Sequence, residues 1–122
     1  AYSDSRGLQC IRAHVAEYIE RRDGGTPSHA DDIILVAGAS EGIRAVLKLF
    51  KGETKGKKSG VMTPVPQYPL YAATLGEYDM HQIDYYLKES QAWSLDTAEL
   101  RRAIQAARSH SSPRAIVVIN PG

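Results

Sequence analysis

The sequence has 122 residues and a mass of 13.4 kDa, enough for one small domain. Its 15 basic and 14 acidic side chains leave a net charge of +1, so electrostatics single out neither nucleic acid nor an anionic membrane as a partner. Apolar residues at 43% and charged residues at 24% exclude wholesale disorder, and no apolar run approaches the roughly 18 residues of a membrane span. Cys10 is the only cysteine, which excludes an intrachain disulfide and makes a reducing, cytoplasmic setting the expectation, with the mitochondrion as the alternative. The chain opens at Ala1 without a methionine or a signal-peptide pattern and stops at Gly122 directly after an apolar run, so it reads as a piece of a longer protein.

Leu8, Ile11, Val15, Tyr18 and Ile19 recur at helical spacing and predict a first helix with that row as its buried face. Ser3, Asp4 and Ser5 precede it as capping residues, and Gly24-Gly25 ends it. Ile33 to Ala37 is a continuous apolar run, expected to be a strand buried on both faces. After Gly38-Ala39-Ser40, the residues Ile43, Val46, Leu47 and Phe50 predict a second helix capped by Ser40. Lys51 to Ser59 is charged and aperiodic and reads as a surface loop. A strand over 61–66, a helix over 68–76 and a strand over 81–87 follow. Asp96 and Glu99 have capping-box spacing, with Leu95 and Leu100 as the staple of a helix whose seam is Leu100, Ile104 and Ala107. Ala115 to Ile119 is the last predicted strand. This alternation predicts an α/β fold with a largely parallel sheet.

Two segments bring together residues suited to binding. Gly38-Ala39-Ser40-Glu41-Gly42 places small residues between a predicted strand and a helix N-terminus, whose first amides lack intrahelical acceptors and suit a phosphate. A tight turn capped by Ser40 accounts for the same residues. Pro64 to Tyr71 leaves the carboxyl end of a strand, where open α/β sheets gather ligands, and Tyr68 offers a face for a planar ring. Packing of Tyr68 and Tyr71 against the sheet is the alternative. His14, His29, His81 and His110 show no metal-ligand spacing, Cys10 reads as core or boundary, and Asp84 is open to either reading.

Tyr2 to Leu8, Gly38-Ala39-Ser40, Pro66-Gln67-Tyr68 and Ile119 to Gly122 together resemble the class I/II aminotransferases, pyridoxal-phosphate enzymes of fold type I. YIERRDGG, LVAGASEGI, PVPQYPLYAATL and the WSLD segment are similar, more closely, to the alanine aminotransferases within that family. The resemblance runs collinearly through the whole chain. It implies a three-layer α/β sandwich, with residues 1–122 forming the N-terminal part of the large, cofactor-binding domain. It also implies that Ala39 and Ser40 hold the phosphate of pyridoxal 5'-phosphate, that Tyr68 stacks on its ring, and that Tyr2 reaches the phosphate in the partner subunit of a homodimer. The activity implied for the complete enzyme is amino transfer from L-alanine to 2-oxoglutarate. The family's Schiff-base lysine matches none of Lys48, Lys51, Lys55, Lys57, Lys58 or Lys88, so this chain alone is expected to hold no catalytic residue. Another fold type I aminotransferase, a carbon–sulfur lyase and a truncated non-catalytic chain are the alternatives.

Overall fold

The structure, a computed structural model, describes residues 4–120, which fall into two units, Ala1–Gly42 and Ile43–Gly122. Tyr2 and Ser3 at one end, and Pro121 and Gly122 at the other, lie outside the described residues.

Helix α1 (Gln9–Arg22) dominates the first unit, and its buried residues are Arg12 and Ala16 rather than the predicted apolar row. Leu8, Ile11 and Tyr18 are exposed, because α1 turns its Arg12 side toward a 3₁₀ turn at Ala30–Asp32 and, among the described residues of the unit, none covers the other face. Cys10 is exposed too, against the expected boundary position. The N-cap position is Leu8, without a side-chain cap. Asp4, predicted to cap the helix, instead accepts from the Arg6 backbone N–H at 2.9 Å and from Arg12 Nη2 at 3.1 Å. The Arg12 guanidinium is fully buried and also donates to Gly7 O, Gln9 Oε1 and Ala30 O, the last at 2.6 Å. A buried charge survives only when paired and hydrogen-bonded in this way. At the far end Gly24 and Gly25 adopt positive φ, and the Gly25 N–H closes on Glu20 O at 2.8 Å, the predicted glycine stop.

The expected strand at 33–37 is absent. The segment makes two backbone bonds to its surroundings, Ile33 N–H to Ala30 O at 3.2 Å and Leu35 N–H to Arg6 O at 2.8 Å, and leaves Ile34 and Val36 exposed. A strand exists only beside another strand, and among the described residues none runs alongside. Gly7 fixes the approach of this segment. Its φ is +102°, and a Cβ there would sit 2.7 Å from Leu35 Cδ1.

Helix α2 (Ala39–Lys48) starts in the first unit and continues into the second. Strand β1 (Glu53–Thr54) pairs antiparallel with β2 (Lys57–Val65) across a turn in which Lys55 and Gly56 both have positive φ. Part of the stretch predicted as a loop is therefore a hairpin, built by a turn type that favours glycine. Helix α3 (Leu70–Glu77), strand β3 (His81–Tyr86), helix α4 (Thr97–Ala107) and strand β4 (Ser112–Ile116) complete the unit. β2 lies between β3 and β4 and is parallel to both, so the sheet is mixed only through β1. β4 begins three residues earlier than the predicted 115–119, since pairing starts at Ser112 opposite Ser59. The ladder runs on through Val117 N–H to Met62 O at 2.8 Å.

β2 is buried from Ser59 to Pro64 and sends alternate side chains to opposite helical layers. Val61 packs with Leu47 of α2 and Leu75 of α3, whereas Met62 packs with Ile83, Tyr85, Ala103 and Ala107 on the α4 side. The second unit is thus the predicted three-layer α/β arrangement. Asp96 caps α4 through the Ala98 N–H at 3.0 Å, but Glu99 does not return to the cap. Its carboxylate accepts from Tyr86 N–H and from Arg102, because the end of β3 offers it an amide.

At the amino edge of this sheet His81 Nε2 lies 2.9 Å from His110 Nε2, with the rings nearly perpendicular. Burial and the facing His110 push the His81 pKa below the ordinary histidine value, while Asp84 pulls weakly the other way. The unfolded chain therefore takes up a proton that the fold resists. Folding stability is complete above the ordinary value of about 6.5 and declines as pH falls through and below it. His110→Gln is expected to move the His81 titration upward, read by NMR of the imidazole resonances. For the first unit, Arg12→Ala strips donors from the half-buried carbonyls of Gly7 and Ala30 and is expected to cost on the order of 3 kcal/mol in a denaturant titration of the whole protein.

Candidate functional site

The parallel strands β2 and β3 and the chain beyond β4 end at one rim of the sheet. Alternation of the ladders explains why the sequence can turn there. Met62 O bonds toward β4 and Val65 O toward β3, so Pro64 directs its missing donor to the side where β4 has already ended. The chain then passes through Pro66 and Gln67 to Tyr68 and enters α3, whose N-terminal flank is Pro69.

A cavity of about 310 Å³ opens at this rim, walled by Pro64, Pro66, Gln67, Tyr68, Leu87 and Trp93. Tyr68 is 64% exposed, so its ring is available to a ligand rather than spent on packing. Tyr71 takes the packing role instead, half-buried against the cluster of Leu47, Val61 and Leu75. Gln67 adds a polar group that sequence reasoning passed over. Its Nε2 reaches Thr63 Oγ1 at 3.5 Å, while its Oε1 is buried with no hydrogen-bond partner. A buried acceptor left unpaired beside an apolar hollow suits a ligand bearing a donor.

Ala39 and Ser40 belong to the first unit, where they are the first two residues of α2. Ser40 is inside the helix rather than its cap. Gly42 N–H donates to Gly38 O at 3.1 Å, so the amides of Ala39, Ser40 and Glu41 precede the first intrahelical bond. Ala39 and Ser40 are exposed, and nothing lies within 4 Å of where a Gly38 Cβ would stand. Glu41 is the acidic residue of this turn, and its carboxylate is drawn back to the Ala37 N–H at 3.0 Å. Free first-turn amides with small side chains around them are an arrangement suited to an anion, and the Glu41 carboxylate is held on the same turn. Tyr2 lies outside the described residues.

The remaining candidates are not brought into a site. Asp84 is exposed and accepts from Gln82 Nε2 at 2.6 Å, and among the described residues no three His, Cys, Asp or Glu side chains form a metal cluster. Among the described residues no helix is long and apolar enough to cross a membrane. Trp93 was absent from the sequence-derived candidates although it is the only tryptophan. It reaches the cavity through a tight turn in which Ala92 and Trp93 both adopt left-handed φ, 51° and 58°. Such a conformation costs a non-glycine residue about 1–2 kcal/mol. The turn is clasped by Lys88 N–H to Ser94 O at 3.0 Å and by Lys88 Nζ to Asp96 at 2.8 Å. Ala92→Val is expected to lower stability by about 1–2 kcal/mol and Ala92→Gly to leave it within about 1 kcal/mol, an ordering that thermal unfolding of the two variants checks.

Residues 1–121 match the sequence profile of the family described as aminotransferase class I and II. The chain is 56% identical over 122 residues to alanine aminotransferase 1 of Bos taurus and 55% identical to that of Homo sapiens, in both cases covering all of this chain and 25% of the relative. Among solved structures, the alanine aminotransferase of Pyrococcus furiosus superposes with a TM-score of 0.81 at 26% identity, over all of this chain and 28% of that one. The chain thus spans about a quarter of the length of the curated relatives it matches.

Proposed function

The chain belongs to the class I and II aminotransferases, and from that membership we propose that it forms part of an enzyme that moves an amino group from L-alanine to 2-oxoglutarate, giving pyruvate and L-glutamate. The single observation that carries the substrate assignment is the 55–56% identity to alanine aminotransferases along the whole chain.

The family implies pyridoxal phosphate, and the residues present fit it. The free first-turn amides of α2 suit its phosphate, and the exposed Tyr68 at an apolar hollow suits its ring. When bound, this cofactor supplies the electron sink that amino transfer requires. In this reading Ala39 and Ser40 hold the phosphate through backbone N–H groups and the Ser40 hydroxyl. Tyr68 fixes the plane of the ring, and the wall of Pro64, Pro66 and Leu87 keeps water from that side. The proton-transferring lysine matches no position in these 122 residues, so the reading gives them binding and orientation. Tyr2 serves the phosphate of a second subunit in a homodimer, and exposed Leu8, at the N-cap of α1, with Ile11 and Tyr18 on α1, supports a further protein surface. The cytoplasm, with the mitochondrion as alternative, remains the proposed compartment.

The substrate proposal predicts that the whole protein carrying these residues forms pyruvate from L-alanine and 2-oxoglutarate faster than it turns over other amino acids in a panel. A stronger preference for a different donor, or carbon–sulfur cleavage, contradicts it. Stacking on an aromatic face contributes about 0.5–1.5 kcal/mol, so Tyr68→Ala is expected to weaken cofactor retention about two- to tenfold. An unchanged dissociation rate rejects the role of Tyr68.

A further inference from the structure

Trp93 lines two neighbouring hollows at the carboxyl rim of the second unit. One is the cavity of about 310 Å³ that holds Tyr68 and Gln67. The other is a hollow of about 390 Å³ that reaches Tyr85, Ser94 and Asn120, and Pro64, Leu87 and Trp93 line both. The loop delivering this side chain runs from β3 to α4 and takes left-handed backbone, uncommon for non-glycine residues, at two successive positions. Conformations of that kind persist only where their surroundings over-determine them, and they concentrate at ligand clamps. The surroundings here are the clasp between Lys88 and Ser94 and the ion pair between Lys88 and Asp96, while 44% of Trp93 stays exposed at the hollows. Hydrophobic burial of the indole therefore does not by itself account for the turn.

We propose that Trp93 is a positioning residue for the aromatic wall. It fills the space between the two hollows and thereby holds the Pro66–Tyr68 segment so that the Tyr68 ring meets a planar ligand at one fixed angle. This rests on the reading of Tyr68 as the ring-stacking residue. Trp93 lines the same cavity as the wall, and in this proposal it acts through the wall and not on the reacting atoms. Replacing it with alanine joins the two hollows and leaves the Pro66–Tyr68 segment without its packing neighbour. Phenylalanine keeps a flat apolar partition and rescues.

The test uses the whole protein loaded with pyridoxal phosphate, in the variants Trp93→Ala, Trp93→Phe, Tyr68→Ala and the double alanine variant. The readouts are the cofactor dissociation rate and the visible circular dichroism of the bound cofactor, which reports the asymmetry around its ring. Trp93→Ala is expected to speed dissociation by about the two- to tenfold of Tyr68→Ala and to change the dichroic band, with Trp93→Phe near wild type. The double variant is expected to dissociate scarcely faster than Tyr68→Ala alone, because two residues acting on one contact are not additive. If Tyr68→Ala speeds dissociation while Trp93→Ala leaves both the rate and the band unchanged, or if the two effects multiply independently, the positioning role is overturned and the role of Tyr68 stands. If Tyr68→Ala has no effect, both readings fall together. Should Trp93→Ala not fold, Trp93→Leu takes its place, apolar but without a flat ring, and a wild-type dissociation rate and band in Trp93→Leu overturn the proposal.

Discussion

The position of β2 constrains the whole of the second unit. A strand buried along Ser59 to Pro64, with large side chains on both faces, has to lie between two strands and two helical layers. Each face meets a different partner. Val61 is fully buried beneath Leu47 and Leu75, and Met62 beneath Ala103 and Ala107. The small alanines of α4 let that helix approach, and Gly60 admits Ile83, whose Cδ1 would stand 2.7 Å from an added Cβ. Once β2 is central, its carboxyl end is central too. That places Pro64, Pro66 and Tyr68 at the rim where parallel sheets bind ligands.

The edges of that rim are secured by polar contacts from less prominent residues. Tyr85 is buried against the α4 layer and donates its hydroxyl to Val117 O at 2.6 Å, tying β3 to the chain beyond β4. Burial raises the pKa of this phenol, so it stays a donor through the physiological range. Leu87 N–H reaches Val65 O and holds the exits of β2 and β3 together. In the first unit Arg12 does comparable work, drawing Gly7, Gln9 and Ala30 around one guanidinium.

Much of the second unit was legible because its signals are local or periodic. The Asp96 cap, the seam of α4 and the short strand segments 61–66 and 81–87 each depend on residues a few positions apart. The start of β2 was hidden because Lys57 and Lys58 are polar residues recruited by pairing with Glu53 and Thr54, which composition does not show. The α1 face misled for a different reason. Helical spacing identifies an apolar row but not whether a neighbour covers it, and here the buried side belongs to an arginine whose acceptors are 3 to 18 residues away. Ile33 to Ala37 failed as a strand because strand formation is a property of two segments. In the candidate site, the turn at Ala39-Ser40 and the exit at Tyr68 were readable from residue type and sequence order. Gln67 and Trp93 were not, since an orphaned amide oxygen and a left-handed turn exist only in three dimensions.

The central proposal is that the first turn of α2 holds the phosphate of pyridoxal phosphate and that Tyr68, at the exit of β2, holds its ring. Amide hydrogen exchange of the whole protein, with and without pyridoxal phosphate, tests it most directly. The account predicts slowed exchange at the amides of residues 39–42 and at Gln67 and Tyr68 when the cofactor is bound, with little change along the exposed outer turns of α1. Cofactor-dependent protection confined to residues outside this chain would contradict it.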